Sequence, residues 1–266
     1  MKKILAIVLI FVFVLSGCAS KATEATPENK VLKVGMELKY PPFETKDADG
    51  NPDGASVMLA KALGEYLNRE VEIVDTAYPS LIPALEQGDI DIIISSMTIT
   101  EEREKVVDFS EPYTNSQLMM LVYKDSKVQS ADDLNSSDVT IASKTGTIGA
   151  LWAAANAPNA KILNIDEEAS AVLEVAQGNA DVFIYDPLSI IRHHENYMET
   201  TRTILEPLPN TKGWGIAMKK GENELRNQIN EFIKKAKTDG TYDKIRETYL
   251  KEKMQEFEQY NLEFFF

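Results

Sequence analysis

Short apolar runs alternate with amphipathic stretches along most of this chain, and that rhythm limits the folds open to it. Apolar runs at 31–36, 71–74 and 90–95 are separated by stretches of helical periodicity at 55–67 and 81–87. The same order returns as apolar runs at 139–142, 162–165 and 182–185 around helical stretches at 147–157 and 169–177. Strand-helix alternation of this kind predicts an α/β protein whose mostly parallel sheets carry helices on both faces. An internal echo strengthens the reading. Leu85-Glu86-Gln87-Gly88-Asp89-Ile90-Asp91-Ile92-Ile93 parallels Val175-Ala176-Gln177-Gly178-Asn179-Ala180-Asp181-Val182-Phe183. In each copy an apolar helix stops at a glycine suited to a left-handed C-cap, and an apolar strand follows. Two lobes of similar topology are expected.

Two stretches are candidates for passing between the lobes, 118–123 outward and 208–217 on the return. After the second, 222–237 and 241–250 read as amphipathic helices split by Asp239-Gly240, and they are expected to pack back on the first lobe. The resulting division places lobe 1 at 31–120 together with 212–266 and lobe 2 at 121–211. The tail 256–266, ending in three phenylalanines, has no functional reading from sequence.

Met1-Lys2-Lys3, the apolar run 4–15 and Ser16-Gly17-Cys18 have the layout of a secretory signal over 1–17. The run falls short of the roughly 20 apolar residues a spanning helix needs. Cys18 is the single cysteine, so no internal disulfide exists. Residues 18–30 are small and polar, as in a flexible tether. Net charge is −14, which argues against nucleic acid or an anionic lipid surface as a partner.

In open parallel sheets ligands gather beyond the C-terminal ends of the strands, which directs attention to the loops after Met36, Ile94, Ala142 and Tyr185. After Ile94 come Ser95, Ser96 and Thr98, then Thr100 as a helix N-cap and Arg103 on the first turn. A guanidinium suits a carboxylate, although an arginine early in a helix is also commonly just solvated. Ser143-Lys144-Thr145-Gly146-Thr147 leads a strand into a helix N-terminus with backbone donors for an anion. Asp186 before Pro187 reads as an N-cap, and equally as a partner for a ligand ammonium. Glu37, Tyr40 and Tyr78 stand on loops where aromatic rings can flank a side chain, or serve as partly buried structural residues.

Other chemistries find little support. Lys144 lacks the spacing of a nucleotide-binding loop. His193 and His194 are the only histidines, adjacent in a helical stretch and facing different ways, so no metal site is expected. No nucleophile-base arrangement is suggested, and no cofactor is expected.

Tyr40-Pro41-Pro42-Phe43-Glu44, Ile82-Pro83-Ala84-Leu85, Thr98-Ile99-Thr100-Glu101-Glu102-Arg103 and Val107-Asp108-Phe109-Ser110-Glu111-Pro112-Tyr113 appear in order, followed by Lys144-Thr145-Gly146-Thr147, Tyr185-Asp186 and Asp239-Gly240-Thr241-Tyr242. Together they resemble the signatures of the family 3 extracellular solute-binding proteins, over roughly residues 31–250. The resemblance implies a two-lobe, type II periplasmic-binding-protein-like fold joined by two crossing hinge strands. It implies a non-enzymatic, monomeric protein that closes on a free L-amino acid and passes it to the permease subunits of an ABC importer.

Leu15-Ser16-Gly17-Cys18 resembles a lipobox, implying a lipid anchor on Cys18 at the outer face of the cytoplasmic membrane. Carried over by position, Arg103 clamps the α-carboxylate with Thr98, Ser96 and Thr147, and Asp186 with Ser96 takes the α-ammonium. Ser95 belongs to the same loop. Tyr40 and Tyr78 flank the side chain, while Glu37 and Lys144 reach its far end. Glu37 turns the expectation toward glutamine or a basic amino acid, and Lys144 pulls the other way. Gly54-Ala55-Ser56-Val57-Met58 departs from the Gly-Phe-Asp-Val-Asp usual in the family. The alternatives are a cleft enzyme of the cyclohexadienyl or arogenate dehydratase type and a ligand-sensing module acting with a separate partner.

Overall fold

In the computed structural model, which describes residues 31–115, 117–209, 212–264 and 266, both copies of the echoed joint behave alike. Gly88 and Gly178 take left-handed φ values of 87° and 76°, each turning the chain from a helix into the next strand. The signal segment, Cys18 and the tether lie outside the described residues.

The first sheet draws on β1 (Leu32–Met36), β4 (Val71–Asp75), β5 (Ile92–Ile93) and β6 (Val107–Phe109), with the small hairpin of β2 (Thr45–Lys46) and β3 (Pro52–Asp53) beside it. Between them lie α1 (Ala55–Leu67), α2 (Leu81–Gln87) and the single turn α3 (Glu101–Glu104). The second sheet comprises β7 (Met119–Tyr123), β8 (Thr140–Lys144), β9 (Lys161–Ile165), β10 (Val182–Tyr185) and β11 (Thr201–Ile204). Its helices are α4 (Ile148–Asn156), α5 (Glu168–Ala176) and α6 (Pro187–Asn196). The chain then returns through β12 (Ala217–Lys219) to α7 (Asn223–Ala236), α8 (Thr241–Ile245) and α9 (Lys251–Gln259).

Strand order is β4-β1-β5-β12-β6 in one sheet and β11-β7-β10-β8-β9 in the other. In each, three neighbouring strands run parallel and two run antiparallel to them. The predicted elements recur within one or two residues, with one exception. The apolar run 90–95 pairs only at Ile92 and Ile93, because its remaining residues turn toward the cleft.

The outward crossing was expected at 118–123, but those residues form β7 inside the second sheet, between β10 and β11. Their uninterrupted apolar character reflects burial on both faces. The crossing lies just before them. Leu208 N–H donates to Leu118 O at 2.8 Å, and Thr114 and Trp214 form an antiparallel bridge, so the outgoing and returning segments run side by side. Trp214 stands between Gly213 and Gly215 because the strands approach closely there. A Cβ on Gly213 would lie 2.0 Å from Thr114 O.

Helices α7 and α8 cover the first sheet, with Ile229, Phe232, Ile233, Tyr242 and Ile245 sharing a core with Leu32, Val34 and Met36. The phenylalanine-rich tail has a structural role. Phe266 is buried, stacks on Tyr242 at 5.2 Å and stands 5.9 Å from Phe43 and 6.3 Å from Tyr113, ring centre to ring centre. Its carbonyl accepts from Arg246 Nε at 3.0 Å. Substituting Phe266→Ala removes a ring from this cluster and is expected to cost about 3 kcal/mol, the low end for a buried phenylalanine. Denaturant unfolding measures it; an unchanged midpoint would show that the ring contributes no packing.

Candidate functional site

The parallel strands of both sheets end at a shared cleft, where a cavity of about 450 Å³ lies between the lobes. That size falls within the range of small-molecule sites. From the first lobe its wall takes Glu37, Tyr40, Glu44, Tyr78, Ser95, Ser96 and Thr98. The second contributes Thr147, Ile148, Tyr185 and Asp186, and the crossing segments add Leu118 and Trp214. Eight of the ten ligand-contact residues expected from sequence therefore face one space. Arg103 and Lys144 stand behind the wall and do not line it.

Arg103 reaches its position because Thr100 caps α3, its hydroxyl accepting from Arg103 N–H at 3.2 Å. The guanidinium is buried and donates to Thr98 O, to Tyr78 Oη at 3.3 Å and, across the cleft, to Gly146 O at 2.9 Å. Lys144 crosses from the other lobe to pair with Glu37 Oε2. Both side chains of this pair are nearly inaccessible to solvent. Glu37 Oε1 accepts from Tyr78 N–H at 3.2 Å, so both carboxylate oxygens are engaged. The two cations stand 5.9 Å (Arg103) and 5.7 Å (Lys144) from the centre of the Tyr78 ring. At the rim, Lys39 and Glu167 pair at 2.6 Å, and Arg192 donates to Pro41 O at 3.3 Å. The lobes are thus in polar contact from the rim to the interior.

Asp186 caps α6, its Oδ1 accepting from Ser189 N–H at 3.0 Å. The other oxygen, Oδ2, is buried without a well-formed hydrogen bond, beside the Tyr40 hydroxyl, which also lacks one. Burial raises the Asp186 pKa, with the Glu168 carboxylate adding to the rise. Glu168 itself is held low: burial pushes it up, but a 2.7 Å contact with His193 Nε2 and the Arg192 guanidinium outweigh that. His193 and His194 point apart as expected, His194 Nδ1 meeting Thr201 Oγ1 at 3.1 Å. Among the described residues no cluster of three His, Cys, Asp or Glu side chains could hold a metal ion.

Residues 32–252 match the profile of the bacterial extracellular solute-binding proteins, family 3. The chain belongs to this family. A probable histidine-binding protein of Neisseria gonorrhoeae is 31% identical, over 88% of this chain and 90% of that protein. The glutamine-binding protein GlnH of Bacillus subtilis is 30% identical, over 95% and 98% respectively. Among solved structures, an ancestral amino-acid-binding protein that is a precursor of cyclohexadienyl dehydratase shows 38% identity and a TM-score of 0.72 over 82% of this chain and 95% of that one. A binding component of an ABC transporter from Wolinella succinogenes, in complex with lysine, shows 36% identity and a TM-score of 0.73 with the same coverage. The family and the solved relatives agree with the two-lobe fold seen here.

The site of this family 3 protein holds one residue that the sequence reading quoted but gave no role. Glu44 is 1% exposed, yet it borders the cavity. Ser56 and Ser96 lie against its carboxyl, and Tyr113 lies next to Ser96. Ser56 belongs to the altered Gly54–Met58 segment, expected near the cleft rim. That segment is instead largely buried, its first-turn N–H groups donating to Pro42 O and Phe43 O. Burial pushes Glu44 up to about 8, opposed by the two serines. The signal in sequence was a carboxyl directly after Pro-Pro-Phe. Trp214 and Tyr185, read respectively as core and as a strand end, also reach the cavity, since each sits where a strand meets the cleft.

A carboxyl with a raised folded-state pKa keeps a proton that the unfolded chain releases, so stability falls as pH rises between the two values. For Glu44 that window runs from its ordinary 4.5 to about 8. Glu44→Gln removes the penalty, and its melting temperature is expected to gain on the wild type steadily across the window and level off above it. Parallel melting curves at every pH would contradict the buried acid.

Proposed function

We propose that this protein binds a free polar amino acid between its lobes and delivers it to the permease subunits of an ABC importer. The observation that carries this reading is Asp186 Oδ2, a buried carboxylate oxygen without a well-formed hydrogen bond at the wall of a cavity whose opposite lobe supplies Arg103. An amino acid carries a charge for each, and burying either charge unpaired costs several kcal/mol. The ammonium meets Asp186 and Ser96. The carboxylate takes the place of the Gly146 carbonyl on Arg103, with Thr98 and the start of α4 at Thr147 supplying further donors. Because the partners belong to different lobes, the ligand favours the closed state. Histidine-, glutamine- and lysine-binding relatives support the class.

Within that class a neutral carboxamide fits best, which makes glutamine the favoured ligand. Glu37 already has a cation in Lys144, and a basic side chain would have to displace it. An amide can donate to Glu37 and accept from Lys144. Tyr40 and Tyr78 flank the aliphatic part of such a ligand, and Ser95 holds Glu37 by accepting its N–H at 3.0 Å.

The residues outside the described region complete the reading. The leader directs export, and the lipidated Cys18 with its tether holds a monomer at the outer face of the membrane. Labelled palmitate incorporation lost in Cys18→Ala tests the anchor. A binding role without turnover is favoured over a dehydratase by the binding proteins among the relatives. Conversion of prephenate or arogenate by purified protein would reverse this.

Calorimetric titration of the common amino acids is expected to give binding to glutamine, and Arg103→Ala to weaken it by about 100-fold or more, as loss of a buried charge partner does. Binding confined to aliphatic amino acids would contradict the site. Lys144→Met frees Glu37 and is expected to shift preference toward arginine and lysine; an unchanged ligand order would remove Lys144 from the specificity account.

A further inference from the structure

We propose that Glu44 is a positioning residue that acts as a neutral carboxylic acid, holding the Ser96 hydroxyl as an acceptor for the ligand ammonium, so that amino-acid capture is coupled to a proton on this side chain. The proposal rests on the amino-acid-binding reading above. Three observations carry it.

The first is location. Glu44 is buried within the first lobe, held by backbone hydrogen bonds between Tyr40 and Glu44 at 2.8 and 3.0 Å, and its side chain reaches the cavity wall. The second is company. Its neighbours from each packed element are Ser56 of α1, Ser96 after β5 and Tyr113 of the outgoing crossing segment, all uncharged. Of the formal charges acting on it, Glu37 has the same sign, and Lys144 is engaged by Glu37. An ionised Glu44 would therefore be a carboxylate without a cation, and burial resists that. As an acid it is both donor and acceptor, which suits a ring of hydroxyls.

The third is Ser96 itself. It takes φ +47°, a left-handed conformation that a residue with a Cβ rarely adopts, and its Oγ is buried at the cavity wall. Strain of this kind persists where the surroundings over-determine a functional group. Glu44 lies against that hydroxyl from the protein side. When the acid donates to Ser96, the serine lone pairs remain for the ligand. When Glu44 ionises it accepts the serine proton, and a further negative charge joins Glu37 and Asp186 around the cavity. The charge alone attracts an ammonium, but the geometry is lost, because Ser96 turns its proton to Glu44 and its remaining lone pairs leave the ligand direction.

The test is calorimetric titration of full-length wild type, Glu44→Gln and Glu44→Ala with glutamine, from about pH 6.5 to about pH 9. A single required proton predicts a wild-type affinity that is level near neutrality and about tenfold weaker one unit above the Glu44 midpoint. Glu44→Gln, which keeps a donor and an acceptor, is expected to bind as wild type does near neutrality and to show a flatter profile. Glu44→Ala weakens binding throughout. Since all three proteins meet the same ligand, titration of its own ammonium cancels in the comparison.

Identical pH profiles for wild type and Glu44→Gln, or loss of binding in Glu44→Gln near neutrality, would overturn the proposal. Should the variants misfold, the Glu44 carboxyl carbon can be titrated by NMR in the wild type. Reciprocal linkage requires glutamine to raise its midpoint, and an unchanged or lowered midpoint refutes the coupling. If no amino acid binds the wild type at any pH, the parent reading fails and this one with it. Binding that is indifferent to Glu44 refutes this one alone.

Discussion

Desolvation of charge in the cleft governs the rest of this structure. The first lobe brings Glu37, Glu44 and Arg103 to the ends of its strands, and the second brings Lys144 and Asp186. None of these groups can be taken from water cheaply without a partner. Within the closed arrangement two have found one across the cleft, Arg103 on the Gly146 carbonyl and Lys144 on Glu37. Asp186 Oδ2 has no such bond. The sheets, the crossing segments and the helices that return to the first lobe serve to carry these groups apart and together, while the apolar cores of the two lobes remain separate.

That arrangement divides the cleft by task. Asp186, Ser96, Thr98 and Arg103 offer complementary charge and hydrogen bonds to the part shared by every amino acid, and Glu37, Lys144 and Tyr78 stand where side chains differ. The floor beneath both is aromatic, with Tyr40 stacked on Phe43 at 5.3 Å and Phe43 edge-on to Trp214 at 5.0 Å. Phe266 continues this cluster to the far side of the lobe. Packing from the tail therefore extends to the residues that line the site, and the crossing segments at Thr114 and Trp214 pass through the same cluster.

Most of the fold was legible because its signals are local. Helical periodicity at Ala55–Leu67 and Leu81–Gln87, and the glycine caps at Gly88 and Gly178, follow from residue spacing and backbone sterics. The position of the crossing was not, since an apolar run such as Met119–Tyr123 reads the same as a bridge between lobes or as a central strand. The site was legible where a residue type implies its partner, as with Arg103 and Asp186. It was misleading at Glu37, which suggested a basic ligand until the fold brought Lys144 to it from over 100 positions away. Glu44 was invisible for a related reason: its neutral state depends on Ser56, Ser96 and Tyr113, which only the fold assembles around it.

The central claim is that a ligand joins the two lobes by engaging Asp186 on one side and Arg103 on the other. Lys39 and Glu167, exposed and opposite each other at the rim, are positions from which to follow it. With fluorophores at these two sites, single-molecule energy transfer reports the distance across the cleft directly. Glutamine is expected to shift the wild-type population toward the short distance and to leave an Asp186→Asn protein unshifted. A distance distribution that glutamine does not change in the wild type, under conditions where calorimetry shows it bound, would contradict the account.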